Sequence, residues 1–302
     1  MNCQPYNYPY CEFDFYEWNP VQRQCLQYFD CDCNLVVNSS TASGKSAIAE
    51  AIMGYELCAN QDSKAIYVSP LKAIGYEKYE QWQRHPTFEN YNSLLVSGDT
   101  KAMQSEFEQA RLIVSTVESL AIRCRNCDKW LADARVLVFD EAHLLNDAQR
   151  GAGAEAMVMA LGSINPNCRI VCLSGTMSNY LEVAKWLKSC NGKKTYFVKS
   201  DWRPTELVKR VEVVEGYTEQ YEKVLEMAKA LDSDGKMLAF VHSKANGEKL
   251  CEYLKKHGIR GAFYNASLRP NIRERMLEDF RDEYSDLNVL VCTSSLGMGV
   301  TL

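Results

Sequence analysis

The chain has 302 residues, a length that allows about two domains. Hydrophobic residues make up 46% and charged residues 24%, an ordinary soluble globular composition, and no run approaches the roughly 18 apolar residues of a membrane span. The net charge of −5 argues against a strongly basic nucleic-acid coat, although a groove can be locally basic or can bind through backbone N–H groups.

Residues 1–10 are polar and aromatic, with neither a basic n-region nor an apolar h-region, so they do not read as a signal peptide. Thirteen cysteines, without an export signal, predict reduced thiols in an intracellular compartment, cytoplasm or nucleus. Tyr6, Tyr8, Tyr10, Phe13, Phe15, Tyr16 and Trp18 crowd the first stretch and are expected to pack. Asn19-Pro20-Val21-Gln22 follows, with Pro20 suited to the start of a helix over 23–29. Gln22 is an amide that can donate and accept at once, as reading an adenine edge requires.

Residues 34–46 read N-L-V-V-N-S-S-T-A-S-G-K-S. Leu35–Val37 form a short apolar strand, a small-residue loop follows, and Gly44-Lys45-Ser46 opens a helix with Ile48, Ala51, Ile52 and Tyr55 on one face. Strand, small loop, Gly-Lys-Ser and helix is the layout of a phosphate-binding loop. Backbone N–H groups and the helix N-terminus would surround phosphates, Lys45 would reach the β and γ groups, and Ser46 would hold Mg²⁺. One position departs: the first glycine of the pattern falls at Ser39.

Further short strands are predicted at 65–69, 93–97, 112–115, 136–139 and 169–173, each nearly all apolar and each followed by polar or small residues and a helical pattern. Such runs belong to a parallel sheet covered on both faces. Ligands in these folds bind at the carboxyl ends of the strands, so the polar tripeptides there should converge. Between 189 and 204 the composition changes, with a turn at 191–194 and a plausible hinge at 201–204. A second alternating series follows: strands at 207–214, 237–241, 261–264 and 289–292, helices at 218–231, 246–257 and 270–284. The expected architecture is α/β, with domains at 1–200 and 201–302. No solenoid repeat or low-complexity tract is present.

Asp140-Glu141 closes an apolar strand and supplies what a phosphate loop needs. Asp140 would bind Mg²⁺, and Glu141 would orient and activate the attacking water. His143, two residues on, would link this site to the Ser174-Gly175-Thr176 turn. These pieces together resemble superfamily 2 helicases of the DExH (DEAH box) type. Within them the chain is most similar to the Ski2-like group, which includes archaeal DNA-repair helicases, the helicase half of DNA polymerase theta and RNA helicases of the exosome and spliceosome. Asn19–Gln22 resembles the adenine-reading Q motif. Thr41, Ala42, Ser43, Gly44, Lys45 and Ser46 resemble the group's motif I, which often lacks the first glycine.

The resemblance assigns nucleic-acid contacts to Pro70, Leu71 and Lys72 of P-L-K-A-I, to Gly98 and Asp99, and to Thr116 and Glu118 of T-V-E. D-E-A-H-L-L at 140–145, continued by Arg150-Gly151 and Glu155, resembles motif II; S-G-T-M-S-N at 174–179 resembles motif III, with Ser174 and Thr176 in coupling. Arg203-Pro204 matches the interdomain signature. Residues 240–244 (F-V-H-S-K) resemble motif IV, with His242 and Ser243 facing nucleic acid, and 265–268 (N-A-S-L) stand where the group has H-A-G-L. Residues 293–302 resemble motif V, giving Thr293 to the strand and Gly299 to the nucleotide. Departures fall at Gly175, Met177, Ser178, Asn265, Ser267, Gly297 and Thr301.

The resemblance implies two RecA-like lobes, the second incomplete at its C-terminal side, with ATP and Mg²⁺ between them and 3′-to-5′ movement on a single strand. The family's γ-phosphate arginines lie beyond motif V, so these residues alone are expected to bind ATP but to hydrolyse it poorly. The P-L-K-A-I and D-E-A-H-L-L…R-G…E runs lean towards DNA. An RNA helicase of the same group and an ATP-binding module without turnover are the alternatives; intact Lys45, Ser46, Asp140 and Glu141 argue against the second. Cys31 and Cys33, Cys58, and Cys124 and Cys127 do not give the four spaced ligands of a zinc or iron–sulfur site, and neither metal is expected.

Overall fold

The apolar runs of the first two-thirds of the chain become parallel strands, buried at nearly every position. The computed structural model describes residues 4–98, 102–175, 177–232, 235–293 and Leu296. The chain divides into two units, Met1–Leu207 and Val208–Leu302. In the first, β1 (Asn34–Ser39), β2 (Lys64–Ser69), β3 (Ser93–Val96), β4 (Leu112–Thr116), β5 (Ala134–Phe139), β6 (Arg169–Ser174) and β7 (Thr195–Ser200) form one sheet. Its order is β3-β4-β2-β5-β6-β1-β7, and every described pairing is parallel. All carboxyl ends therefore lie along one sheet edge.

Alternate residues of the inner strands enter two separate cores. Val36, Ile66, Ile113, Leu137 and Ile170 pack under the helices Val117–Arg125, Gly151–Ile164 and Tyr180–Asn191. Leu35, Val37, Tyr67, Val114, Val138 and Leu173 pack against the helices Lys45–Ala59 and Lys72–Gln83. The N-terminal aromatics complete this second layer: Tyr8 and Trp18 are buried and meet edge to face, while Tyr6 and Tyr16 stay exposed. Their approach is close, since a Cβ at Gly54 would lie 2.2 Å from the Tyr10 carbonyl oxygen.

Two expectations are corrected. β7 forms between the turn expected at 191–194 and the hinge expected at 201–204, where no strand is predicted. It is an edge strand with Tyr196 and Phe197 exposed, so it lacks the continuous apolar run that marks the inner strands. Conversely, the strand expected at 207–214 is not formed. Its alternating branched residues favour extended backbone, yet no described strand pairs with it, and Val211 and Val213 are each 93% exposed.

In the second unit β8 (Met237–Phe240), β9 (Gly261–Tyr264) and β10 (Val289–Cys292) pair in parallel in the order β8-β10-β9. Ala239, Val289 and Val291 pack with Leu225, Ala228, Leu250 and Leu254 of the helices Gly216–Lys229 and Lys244–Lys256. Leu290 and Cys292 face Leu277 and Phe280 of Pro270–Arg281. No helix among the described residues is long and apolar enough to cross a membrane.

Candidate active site

The loop between β1 and the helix Lys45–Ala59 is held from below by amides. Asn19 caps the helix Pro20–Cys25 by accepting from the N–H groups of Val21 and Gln22, and its Nδ2 donates to the Ser43 carbonyl at 2.9 Å. Gln22 Oε1 accepts from the Asn19 N–H at 3.0 Å, and its Nε2 donates to the Gly44 carbonyl at 3.2 Å. Gln22 thus braces the loop with half of its amide capacity, leaving one N–H and one lone pair. Ser39, at the position of the missing glycine, bonds through its hydroxyl to Ser43 at 2.7 Å. Ala42 and Gly44 take left-handed backbone, φ 60° and 73°.

This conformation leaves the helix start open. No side chain caps the helix Lys45–Ala59, and its first turn carries no acidic residue, so its orphan N–H groups and the positive end of its dipole are suited to an anion. Lys45 Nζ donates to the loop's own carbonyls, Ser39 at 3.1 Å and Ser40 at 2.9 Å. Burial lowers its pKa; the Glu141 and Asp140 carboxylates oppose that, and Arg203 adds to it. A half-buried ammonium resting on neutral oxygens beside unpaired helix N–H groups suits a polyphosphate. Ser46 and Asp140 offer hard oxygens, the donor chemistry of Mg²⁺. The residues present therefore fit ATP and Mg²⁺.

β1 and β5 flank β6 in the sheet, so Lys45, Asp140-Glu141 and Ser174 arrive side by side. Burial raises the Asp140 pKa, and a hydrogen bond from the Tyr67 hydroxyl lowers it. Glu141 has left-handed backbone, φ 48°, a conformation uncommon outside glycine and concentrated at functional sites. Its carboxylate meets His143 Nδ1 at 3.2 Å. That bond is the first cause lowering the Glu141 pKa, and Lys45 and the Gly175 N–H act the same way. Glu141 in turn raises His143 above the usual imidazole value. His143 Nδ1 also lies 3.5 Å from Ser174 Oγ, joining the β5 and β6 turns. Thr176, the other expected coupling residue, lies outside the described residues, as do Asp99 and Gly299.

The other half of the sheet edge, β3-β4-β2, carries the expected strand-facing residues. Pro70 and Leu71 are half-buried and Lys72 is exposed. Gly98 stands next to Lys72: a Cβ there would lie 3.7 Å from Lys72 Nζ. Thr116 is buried, its hydroxyl capping the helix Val117–Arg125, while Glu118 is exposed. In the second unit His242 is exposed and the Ser243 hydroxyl caps Lys244–Lys256. Thr293 follows β10 beside β8, so His242, Ser243 and Thr293 share one sheet edge.

Several residues without an assigned role join these parts. Asn38 Nδ2 donates to the Met177 carbonyl at 2.7 Å and its Oδ1 accepts from the Met177 N–H at 3.1 Å, fastening the 174–179 turn to β1. Ser40 Oγ donates to the Trp202 carbonyl. Arg150 Nη2 donates to the Pro70 carbonyl at 2.6 Å and Nε to Glu118 Oε1 at 2.8 Å. The available signal was a polar atom inside an apolar strand, as at Asn38 and Tyr67.

The family model for the DEAD/DEAH box helicase matches residues 19–183, and that for the helicase conserved C-terminal domain matches 219–302. The chain is 27% identical over 360 residues to the ATP-dependent DNA helicase Hel308 of Methanocella arvoryzae, covering 100% of this chain and 47% of that protein. It is 31% identical over 233 residues to Hel308 of Pyrococcus abyssi, covering 74% and 31%. The chain spans at most about half the length of these curated relatives. Among solved structures, the helicase MrfA bound to DNA aligns with a TM-score of 0.73 at 17% identity, over 95% of this chain and 43% of that one. Yeast Dbp5 bound to RNA and ADP BeF3 aligns with a TM-score of 0.67 at 21% identity, over 95% and 72%. At these identities the likeness establishes the fold, two RecA-like domains.

Proposed function

The chain belongs to the DEAD/DEAH box helicase family, and on that premise we propose that it acts as an ATP-driven motor on single-stranded nucleic acid, moving 3′ to 5′ on DNA. One observation carries this reading. A single sheet edge holds a phosphate loop with its carboxylate pair at one half (β5, β6, β1) and exposed loops at the other (β2, β4, β3). Lys45 and the helix N–H groups bind and orient the β and γ phosphates of the substrate. Ser46 and Asp140 would hold Mg²⁺, which when bound would supply charge neutralisation at the phosphates. Glu141 is kept ionised by His143 and Lys45, so it can take a proton from the attacking water. His143 and Asn38 tie that event to the 174–179 turn. Pro70–Lys72, Gly98 and Glu118 meet the strand, mostly at phosphate and sugar, which gives little sequence specificity.

DNA is favoured because the archaeal relatives are named DNA helicases. The test measures binding of a fluorescent ATP analogue and ATP turnover, with no strand, with single-stranded DNA and with single-stranded RNA. Lys45→Ala is expected to lose analogue binding, and Glu141→Gln to bind but not hydrolyse. A Glu141→Gln protein with normal turnover would sink the assignment. Stronger stimulation by RNA would replace DNA with RNA, and binding without stimulation by either would make the chain a binding module.

A further inference from the structure

The two halves of the sheet edge meet where β2 pairs with β5, and one buried hydroxyl crosses that seam. Tyr67 lies in β2 opposite Val138 of β5 and is 1% exposed. Its hydroxyl donates to Asp140 Oδ2, while Asp140 Oδ1 accepts from the Glu141 N–H at 2.9 Å. Both carboxylate oxygens are thereby held, each keeping a lone pair. The Asp140 N–H donates to the Val68 carbonyl at 2.9 Å, so backbone and side chain of Asp140 both hang on β2.

A second fastening lies behind the first. The Tyr67 and Trp82 rings meet edge to face with centroids 4.8 Å apart, and Trp82 Nε1 donates to Glu50 Oε1 at 2.9 Å. Trp82 sits on the helix Lys72–Gln83 and Glu50 on the helix that follows the phosphate loop; both are buried. Strand β2, the loop at 70–72 and the following helix thus form one piece, pinned to the nucleotide half at Asp140 and at Glu50. Tyr67 is three residues before Pro70, about 10 Å of extended chain.

We propose that Tyr67 is a positioning residue that sets the Mg²⁺-facing carboxylate of Asp140 and transmits to it the displacement of the 70–72 loop when a strand binds. This rests on the reading of 70–72 as strand-facing and of Asp140 as a Mg²⁺ ligand. The route runs through the sheet seam and is separate from the His143–Ser174 contact.

The test uses Tyr67→Phe, which keeps the ring against Trp82 and removes only the hydroxyl. The affinity for a fluorescent ATP analogue is measured across a Mg²⁺ titration, with and without single-stranded DNA, and the ligand-free thermal midpoint is recorded. A charge-assisted hydrogen bond is worth enough for a roughly tenfold effect. The expected result is an unchanged analogue affinity without Mg²⁺, a Mg²⁺ midpoint about tenfold higher, and a reduced DNA-dependent shift of that midpoint compared with the wild type. Trp82→Phe keeps the Tyr67 bond and breaks the Glu50 fastening. It should leave the strand-free Mg²⁺ midpoint in place and shrink the DNA-dependent shift. Mg²⁺ titrations of Tyr67→Phe that overlay the wild type overturn the proposal. Should Tyr67→Phe not fold, an undiminished DNA-dependent shift in Trp82→Phe overturns it instead. Wild-type protein that binds no analogue at all would refute the ATPase reading itself, which is a different outcome.

Discussion

Arg150 offers the sharpest test of how the strand-facing loops are kept in place. It lies just before the helix Gly151–Ile164, and its fork reaches the Pro70 carbonyl in the loop after β2 and the Glu118 carboxylate in the first turn of the helix after β4. The ion pair is partly solvated, with side chains 33% and 58% exposed, so screening limits it to about 0.2–1 kcal/mol. The bond to Pro70 is better shielded and contributes about 1 kcal/mol. Without both, the loops must be ordered at the moment of binding, and about 1.5 kcal/mol is roughly tenfold in affinity. Arg150→Lys keeps the charge and loses the fork, because an ammonium is a point donor. It should weaken single-stranded DNA binding by several-fold to tenfold in a fluorescence anisotropy titration, with ATP-analogue affinity unchanged. The salt dependence separates positioning from contact. A positioning residue leaves the slope of log affinity against log salt unaltered, whereas loss of a direct phosphate contact, tested with Arg150→Met, lowers it by about one. Wild-type affinity in Arg150→Lys, or a reduced slope in Arg150→Met, would refute the reasoning.

Gly44→Ala would place a Cβ 2.4 Å from Gln22 Nε2 at a φ of 73°. Left-handed backbone costs a non-glycine residue about 1–2 kcal/mol, so calorimetry should find analogue binding lost and a lower thermal midpoint. The His143–Glu141 pair predicts a pH window. The raised His143 contributes stability below the unfolded imidazole value of 6.5 and loses it as pH rises through its folded value. The lowered Glu141 contributes above 4.5 and loses it as pH falls. The difference in thermal midpoint between wild type and His143→Gln should therefore be greatest between those values and shrink at alkaline pH; a difference that grows there contradicts the pair. Arg169 is fully buried and donates to the carbonyls of Tyr28, Phe29 and Cys33 and to Glu56. Arg169→Leu leaves the Glu56 carboxylate and three carbonyls without that donor, and urea unfolding should register a loss of about 3–5 kcal/mol.

The inner strands were legible because a parallel sheet buries both faces. V-L-V-F before Asp140 and R-I-V-C-L before Ser174 can hardly be read otherwise. Edge positions obey weaker rules, and there the pattern failed in both directions. β7 formed from T-Y-F-V-K-S, half exposed, while L-V-K-R-V-E-V-V found no ladder partner among the described strands. The phosphate loop and Asp140-Glu141 were visible as local words, each a few adjacent residues. The braces were invisible because they are pairs distant in sequence: Asn38 with Met177, Tyr67 with Asp140, Arg150 with Pro70. A polar atom in a strand announces that it needs a partner, but only the fold supplies which one.

The placement of those braces follows from the strand order. Asp140 directly follows β5, whose neighbours are β6 on the nucleotide side and β2 on the strand-facing side. Any message between phosphate and strand that stays within this unit must cross from β5 to β2 or pass over the loops above them. Backbone hydrogen bonds between parallel strands resist sliding but carry no chemical identity. Side chains at the seam do, and Tyr67 supplies the one side-chain hydrogen bond onto Asp140 among the described residues. Arg150 supplies the crossing over the loops, from the segment after Asp140-Glu141 to Pro70. The two act on opposite ends of the same four-residue stretch, Tyr67 below and Pro70 above. The double variant Tyr67→Phe with Arg150→Lys should therefore lose more strand-dependent change in the Mg²⁺ midpoint than either single change. Additive losses measured in a double-mutant cycle would mean that the two routes are independent; non-additive ones would mean that β2 moves as one piece.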